Sequence, residues 1–449
     1  MKASDLMSNN TSNAILGRGD LVAMAIGNVI GGGIMSLLGI AIGLTGKSIV
    51  IALIICSVMI LLSSLPQIFS SATIKMNGGF YTQASLFGGK WFGGVYSVIF
   101  ISYFFSASLY CLSFASYVLS FVPGANVKLV AMIVLTILVL LNLRGVQVAA
   151  KAQYIMVILL TVALLAFAGF GLGHIKPGFT QGPDFLLNGF SGIMTAAALM
   201  SFATIGSTFI VNFSGQCKNP TKDIPFAIIV STVVVTVLYI LVAIVAAGVL
   251  PISEVAGETL AKTAFTVLPY PIYLFFIVFG AMTALITSLN ALLGWITPPI
   301  VQACEDGWFP KFLAAKNIKY NTPHWILLII YALASSIILM GWDIGSVANV
   351  GNFLSNAVMT VVIIALIRMP DVIPELWAQS KFHINDRLYK VLAMIGALMT
   401  IIFCYYLAIE LTRAEIIGTF VYLAVALVYP ALRMAQKDTI TINTSYEGV

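Results

Sequence analysis

The stretch DLVAMAIGNVIGGGIMSLLGIAIG, Asp20 to Gly43, decides how the chain is read. It is apolar enough to cross a bilayer, yet Gly31, Gly32 and Gly33 follow one another at mid-depth. Each glycine in a helix interior costs roughly 1 kcal/mol relative to alanine. Three in a row let the backbone leave the helix and admit a ligand close to the main chain. In lipid, open backbone survives only where it lines a cavity in protein. The stretch therefore reads as a broken first span with half-helices near 20–30 and 34–43. It also reads as a packing face, because Gly27 and Gly31 form a GxxxG pair. Taken alone, the stretch leaves both readings open.

The rest of the chain sets the class. Of 449 residues 60% are hydrophobic and 8% are charged, and the mean hydropathy is +1.04. Soluble domains carry about 25% charged residues. The expected fold is an all-α polytopic membrane protein. Twelve apolar spans are expected near 20–43, 48–70, 92–121, 128–143, 152–173, 189–212, 224–249, 270–303, 324–341, 343–367, 388–409 and 414–433. Three connections stand out: an amphipathic segment at 71–91, a short outer helix at 250–269 and a surface helix at 304–323. Residues 1–19 are polar and the first span lacks a cleavage site, so no cleavable signal is expected.

With the N-terminus inside, the outer loops hold only Lys47, Lys128, Lys176, Lys262 and Arg413 of the 22 basic residues. This asymmetry predicts that both termini are cytoplasmic; the expected location is the plasma (inner) membrane, as an integral multi-pass protein. The net charge of +6 is scattered through short loops and implies no nucleic-acid partner. The five cysteines and three histidines form no metal or disulfide pattern, and no other cofactor is expected. A partner subunit is not specified. Ionisable residues are nearly absent from the spans, which argues against a carboxylate relay, a voltage sensor and an intramembrane enzyme.

The sixth span, GFSGIMTAAALMSFATIGSTFIVNF (189–213), is small and hydroxylated at its centre, with Gly206 in mid-span. Spans 1 and 6 open the halves of a ten-span unit. Interrupted segments at corresponding places in two halves point to a transporter binding site. With five spans each, 20–173 and 189–367 would be inverted repeats. Residues 388–433 would add two peripheral helices, and 1–19 and 434–449 would be cytoplasmic tails. Freed N–H groups around Gly32, Gly33 and Ile34, with Ile30 and Gly31 at the break, suit a carboxylate. Carbonyls around Phe202, Ala203 and Ile205 suit an ammonium. Together they would hold the zwitterionic head of an α-amino acid without a charged side chain.

Five motifs carry a family resemblance: GNVIGGGI (Gly27–Ile34), KMNGGFYT (Lys75–Thr82), NLRGVQVAAKAQ (Asn142–Gln153), CKNPTKDIPFAI (Cys217–Ile228) and CEDGWFPKF (Cys304–Phe312). In this order they resemble the amino acid–polyamine–organocation (APC) superfamily of permeases. The resemblance implies a LeuT-type fold of 5+5 inverted repeats plus two peripheral helices. It places Phe202 on the aromatic that closes over substrate, and Ala203, Thr204 and Ile205 on an unwound segment against the amino group. Thr208 stands where some antiporters have a glutamate, Gln216 where many relatives have one, and Leu160 near the place of a common span-5 lysine.

Sodium-coupled relatives use span-1 carbonyls and an Ala-x-x-Thr-Ser pattern in span 8. Here Gly27, Ile30, Ala284, Thr287 and Ser288 are the candidate Na⁺ ligands. The plainer reading has Thr287 and Ser288 bonding back to their own helical turn. Polar stripes in span 3 (Ser102, Ser106, Tyr110, Ser113, Tyr117) and span 10 (Asn349, Asn352, Asn356) suggest Ser106 and Asn352 as further substrate contacts. Trp295 and Pro298–Pro299 suggest a kink in span 8.

The functional expectation is secondary active transport of neutral L-amino acids by alternating access, with Na⁺ as the candidate coupling ion. The alternatives are a sodium-independent amino acid exchanger or an amine or polyamine permease. From another class, the alternative is a non-transporting amino-acid sensor.

Overall fold

The computed structural model describes residues 16–76, 78–145, 150–436, 440–442 and 446–448. Most of the N-terminal tail, Asn77, residues 146–149 and the side chain of Gln216 lie outside the described residues. Backbone groups in lipid must pair within their own segment, so the apolar runs become helices. The first half contains α1 (Arg18–Val29), α2 (Gly32–Thr45), α3 (Ile49–Thr73), a short strand β1 (Ile74–Met76), α4 (Gly79–Gly88), α5 (Lys90–Phe100), α6 (Phe104–Leu119), α7 (Val127–Leu143) and α8 (Ala150–Leu172). A 3-10 turn, Ile101–Tyr103, joins α5 to α6.

The second half opens with α9 (Gly189–Thr204) and a 3-10 segment, Ile205–Gln216. It continues with α10 (Pro220–Gly248), α11 (Ile252–Val255), α12 (Leu260–Val267), α13 (Tyr270–Phe275), α14 (Thr283–Trp295), α15 (Thr297–Glu305), α16 (His324–Met340) and α17 (Ile344–Leu366). The last elements are α18 (Met369–Val372), α19 (Pro374–Gln379), α20 (Asp386–Ile409), α21 (Arg413–Ala435) and strand β2 (Tyr446–Gly448).

Among the described residues, nine stretches are long and apolar enough to cross a membrane, and α7 and α16 are apolar but shorter. The first of the nine, Arg18–Thr73, runs from α1 through α3. The architecture is an all-α polytopic membrane protein. Burial ranks its layers: the best apolar window of the α9 stretch is 94% buried, against 33% for α20 and 17% for α21. So α9 is central and α20–α21 are peripheral. Around α9, helix α2 and helix α3 pack closely, and α3 also packs on α10 and α20. Outward faces stay apolar, as with Ile51, Ile54 and Val58 on one side of α3, because their solvent is lipid.

Some connections differ from the sequence expectation. Segment 304–323 holds only a 3-10 turn, Lys311–Ala314, in place of a helix. Gly307 and Asn321 take positive φ, and Pro310 and Pro323 interrupt the remainder. Helix α4 is not amphipathic: it is buried continuously from Gly79 to Ser85, wedged against α17, α5 and α15. The outer helix at 250–269 is two short helices, α11 and α12. The turn between them is fastened to α2, where the Gly257 N–H donates to the Gly39 carbonyl at 3.1 Å. Tyr270–Glu305 also contains a π-helical segment, Phe276–Met282, that the sequence did not suggest.

Candidate functional site

The first span does break. Ile30 (φ −78°, ψ 87°) and Gly31 (φ −149°, ψ −142°) leave helical geometry, and α2 restarts at Gly32. The first N–H groups of a helix lack acceptors within it. These belong to Gly32, Gly33 and Ile34, all buried.

The same glycines are also packing sites, each against a different helix. A Cβ on Gly31 would lie 1.8 Å from Ser288 Oγ of α14. One on Gly32 would lie 2.1 Å from the Tyr110 ring of α6, and one on Gly33 would lie 2.5 Å from Ala203 Cα of α9. Broken helix and packing face are therefore one feature: the glycines let the break sit tightly among three neighbours.

The sixth span is interrupted differently. It tightens into a 3-10 helix at Thr204 (φ −111°, ψ −32°) and does not open into an unwound segment. Runs of 3-10 helix beyond three or four residues are uncommon and often mark hinges. Gly206 makes this approach possible, since a Cβ there would meet the Asn28 carbonyl at 2.4 Å. The carbonyls at this bend have partners in this closed arrangement. Ile205 O accepts from Thr208 Oγ1 at 2.8 Å. The Tyr239 hydroxyl, on α10, donates to the Val29 carbonyl at 2.6 Å and reaches the Ala203 carbonyl at 3.4 Å. One buried phenol thus bridges both interruptions.

Beside this junction lies an enclosed cavity of about 20 Å³. Its walls are Asn28, Tyr103, Ser106, Tyr110, Phe202, Ile205, Gly206, Phe209, Ser288, Trp295 and Ser355, none of them charged. That space suffices for about one water, so the cavity is closed around a volume too small for an amino acid. On one side Phe209 stacks on Trp295 at 4.3 Å, and Tyr103 stands edge-on to both. Near the other, Tyr110 meets Phe202 at 5.9 Å while its ring covers Gly32. Ser106 Oγ and Ser288 Oγ are buried without a hydrogen-bond partner. Other hydroxyls, among them Ser36, Ser71 and Ser113, are buried in the same way, so it is their place in the cavity wall that singles these two out.

The candidates named from sequence separate into groups. Ser106, Phe202, Ile205 and Ser288 line the cavity. Ile30, Gly31, Gly32, Gly33, Ile34 and Ala203 are buried together at the junction, where Gly33 meets Ala203. Thr204 Oγ1 donates back to Met200 O, and Asn352 Nδ2 donates to the Ala198 and Leu199 carbonyls at 2.8 and 3.0 Å. Both side chains are engaged in holding α9. Of the candidate ion ligands, the Ala284 carbonyl and Ser288 Oγ flank Gly31, and Thr287 Oγ1 donates to Ala284 O at 2.9 Å. Gly27 is buried in α1. Span 8 bends at Ile296, just before the two prolines, while the backbone there stays helical (φ −72°, ψ −27°), with Trp295 ending α14 at the cavity wall.

Asn28, Tyr103, Phe209, Ser355 and Tyr239 were not singled out from sequence. Asn28 and Tyr239 did carry a signal, as lone polar residues within long apolar helices. Tyr103 and Phe209 did not, because an aromatic in a span is usually lipid-facing or core.

Comparison with known proteins adds a family. Residues 16–431 match the sequence model of a family described as "Amino acid permease". A branched-chain amino acid permease, BcaP, of Bacillus subtilis is 26% identical over 92% of this chain and 91% of its own length. A methylthioribose transporter of the same organism is 25% identical over 81% of this chain and 82% of its own. The BcaP protein of Lactococcus lactis is 26% identical over 71% and 74%.

Proposed function

The chain belongs to the amino acid permease family, and from that premise we propose that it is a secondary transporter of neutral L-amino acids working by alternating access. The observation that carries this reading is the uncharged, aromatic-walled cavity beside two interrupted helices, with two orphaned hydroxyls in its lining. Substrate would enter when the aromatic pairs on either side separate alternately. Its carboxylate would face the first turn of α2, and its side chain would lie among Tyr103, Phe202, Phe209 and Trp295. A cationic or dianionic side chain would be left there without a counter-charge, at a cost of several kcal/mol.

The proposal includes twelve spans in a five-plus-five inverted repeat with cytoplasmic termini in the plasma membrane. Nine apolar stretches, the first of them folded as two limbs, together with α7 and α16 are consistent with that number. It also includes Na⁺ as a coupling ion. In support, Ser288 Oγ is buried without a partner next to the break, and Gly31 has no Cβ to block it. Thr287 Oγ1 lies 2.9 Å from the Ala284 carbonyl and keeps its lone pairs while donating there. Sodium-independent exchange is the competing mechanism.

A second reading is favoured by one observation: a relative of nearly equal similarity is named for methylthioribose, an uncharged solute without an amino acid head. Uptake of radiolabelled leucine, alanine, phenylalanine and methylthioribose into proteoliposomes tests these readings, with unlabelled neutral amino acids, arginine, glutamate and methylthioribose as competitors. Competition by neutral amino acids alone supports the proposal. Equal competition by arginine or glutamate refutes the neutral pocket, and competition by methylthioribose alone favours the second reading. Uptake unchanged when choline replaces Na⁺ refutes the coupling.

A further inference from the structure

The described residues beyond α21 return to the face that carries Leu16. Leu16 bridges in parallel to Cys217, with the Lys218 N–H donating to the Leu16 carbonyl at 2.9 Å. On the same face Ile440, well beyond α21, is 4% exposed. Its carbonyl accepts from Lys90 Nζ at 2.8 Å, and the Thr441 N–H donates to the Asp306 carbonyl at 3.1 Å. β2 then pairs antiparallel with β1, Tyr446 opposite Met76 and Gly448 opposite Ile74. The end of α21 holds the neighbouring turn, where Arg433 Nη2 donates to the Gly307 carbonyl at 2.7 Å.

These anchors lead to the cavity through consecutive contacts. The Asp306 carboxylate accepts from the Tyr81 hydroxyl of α4 at 2.6 Å and from Gln302 Nε2 of α15 at 3.0 Å. Beside Tyr81, the Phe80 N–H donates to Asn212 Oδ1, in the 3-10 segment, at 3.0 Å. The Met76 N–H of β1 donates to Ser214 Oγ of the same segment at 3.4 Å. The Phe80 ring meets Phe209 edge-on at 5.9 Å, and Phe209 is the ring stacked on Trp295 in the cavity wall.

We propose that residues 440–442 together with β2 form a latch. Docked, they hold β1 and α4 against the 3-10 segment and keep this side of the cavity shut. Released, they let α4 and the 3-10 segment separate and this side open. A buried isoleucine and a run of backbone hydrogen bonds fix the tail more firmly than a solvated terminus requires. Being made by one short strand, they can be released without unfolding a span. The effect on transport rests on the proposed function; the opening of this face does not.

Cys217 reports that opening. It is fully buried, and its thiol is pushed up to about 12, chiefly by burial, with Asp223 adding to the shift and Lys75 opposing it. It reacts only when its surroundings part. The full chain, a chain ended after Gln436 and an Ile440→Asp variant are reconstituted, treated with a maleimide and analysed by peptide mass. Cys111, fully buried in α6, is the control for unfolding. Latch release raises Cys217 labelling about fivefold or more in both altered proteins, with Cys111 unchanged. Unchanged Cys217 labelling in both overturns the proposal. If the shortened chain labels Cys111 as well, it has unfolded and Ile440→Asp decides: selective labelling of Cys217 supports the latch, and unchanged or indiscriminate labelling refutes it. Selective labelling without uptake of any solute by any form would instead count against the transport reading alone.

Discussion

Replacing Tyr239 with phenylalanine tests whether one hydroxyl ties the two interrupted helices together. The ring stays, so no large cavity forms; only the oxygen that faces Val29 O at 2.6 Å and Ala203 O at 3.4 Å is lost. A buried carbonyl stripped of its donor costs about 1–3 kcal/mol. Val29 O keeps the Gly31 N–H at 3.0 Å, and the Ala203 contact is long, so the loss falls near the lower end, about 1 kcal/mol. This corresponds to roughly a fivefold shift toward arrangements in which α1 and α9 separate. Cys56 reads it out: it is fully buried on α3 with its sulfur 3.6 Å from Thr204 Oγ1, at the α9 interruption. Y239F should raise the rate of N-ethylmaleimide labelling at Cys56 about fivefold while Cys111 stays protected. A rate within twofold of the unaltered protein, or an equal rise at Cys111, would show that the hydroxyl does not hold the junction.

Ser106→Ala removes a buried hydroxyl that has no partner. Its thermal melt should hold or rise, whereas affinity for a transported neutral amino acid should fall by about fivefold, the worth of one hydrogen bond of about 1 kcal/mol. Competition binding checks the second part, and unchanged affinity would remove Ser106 from the site. Asn352→Ala should do the reverse. It takes donors from the Ala198 and Leu199 carbonyls and breaks contacts with Ser201 and Asn356, so stability should drop by about 2–3 kcal/mol. Its substrate affinity should change less than twofold; a large loss of affinity with an unaltered melt would make Asn352 a substrate contact instead.

Much of the fold was legible because lipid imposes a local rule. A run such as Pro220–Gly248 must be helical wherever it lies, since its backbone has no other partners. The break after Ile30 was legible for the same reason, as three glycines weaken a helix whatever surrounds them. The interruption near Ile205 was legible in place but not in kind. Small residues show that the helix can deviate, but the tightening into a 3-10 segment accompanies the seating of Gly206 against the Asn28 carbonyl. Polar stripes were the weakest guide. Ser106 and Asn352 look alike in a helical projection, yet one hydroxyl is orphaned in the cavity wall while the other side chain binds α9.

By itself, then, the sequence determined a multi-pass helical membrane protein and the places where its helices yield, because hydropathy and glycine content act on the segment that carries them. Tertiary structure alone decided what Gly31, Gly32 and Gly33 face. Successive positions around a helix turn by about 100°, so three neighbours in sequence come to meet Ser288, Tyr110 and Ala203 on three different helices. Those partners are set by packing between distant segments. It is this packing that makes a weak stretch of helix the centre of a closed cavity.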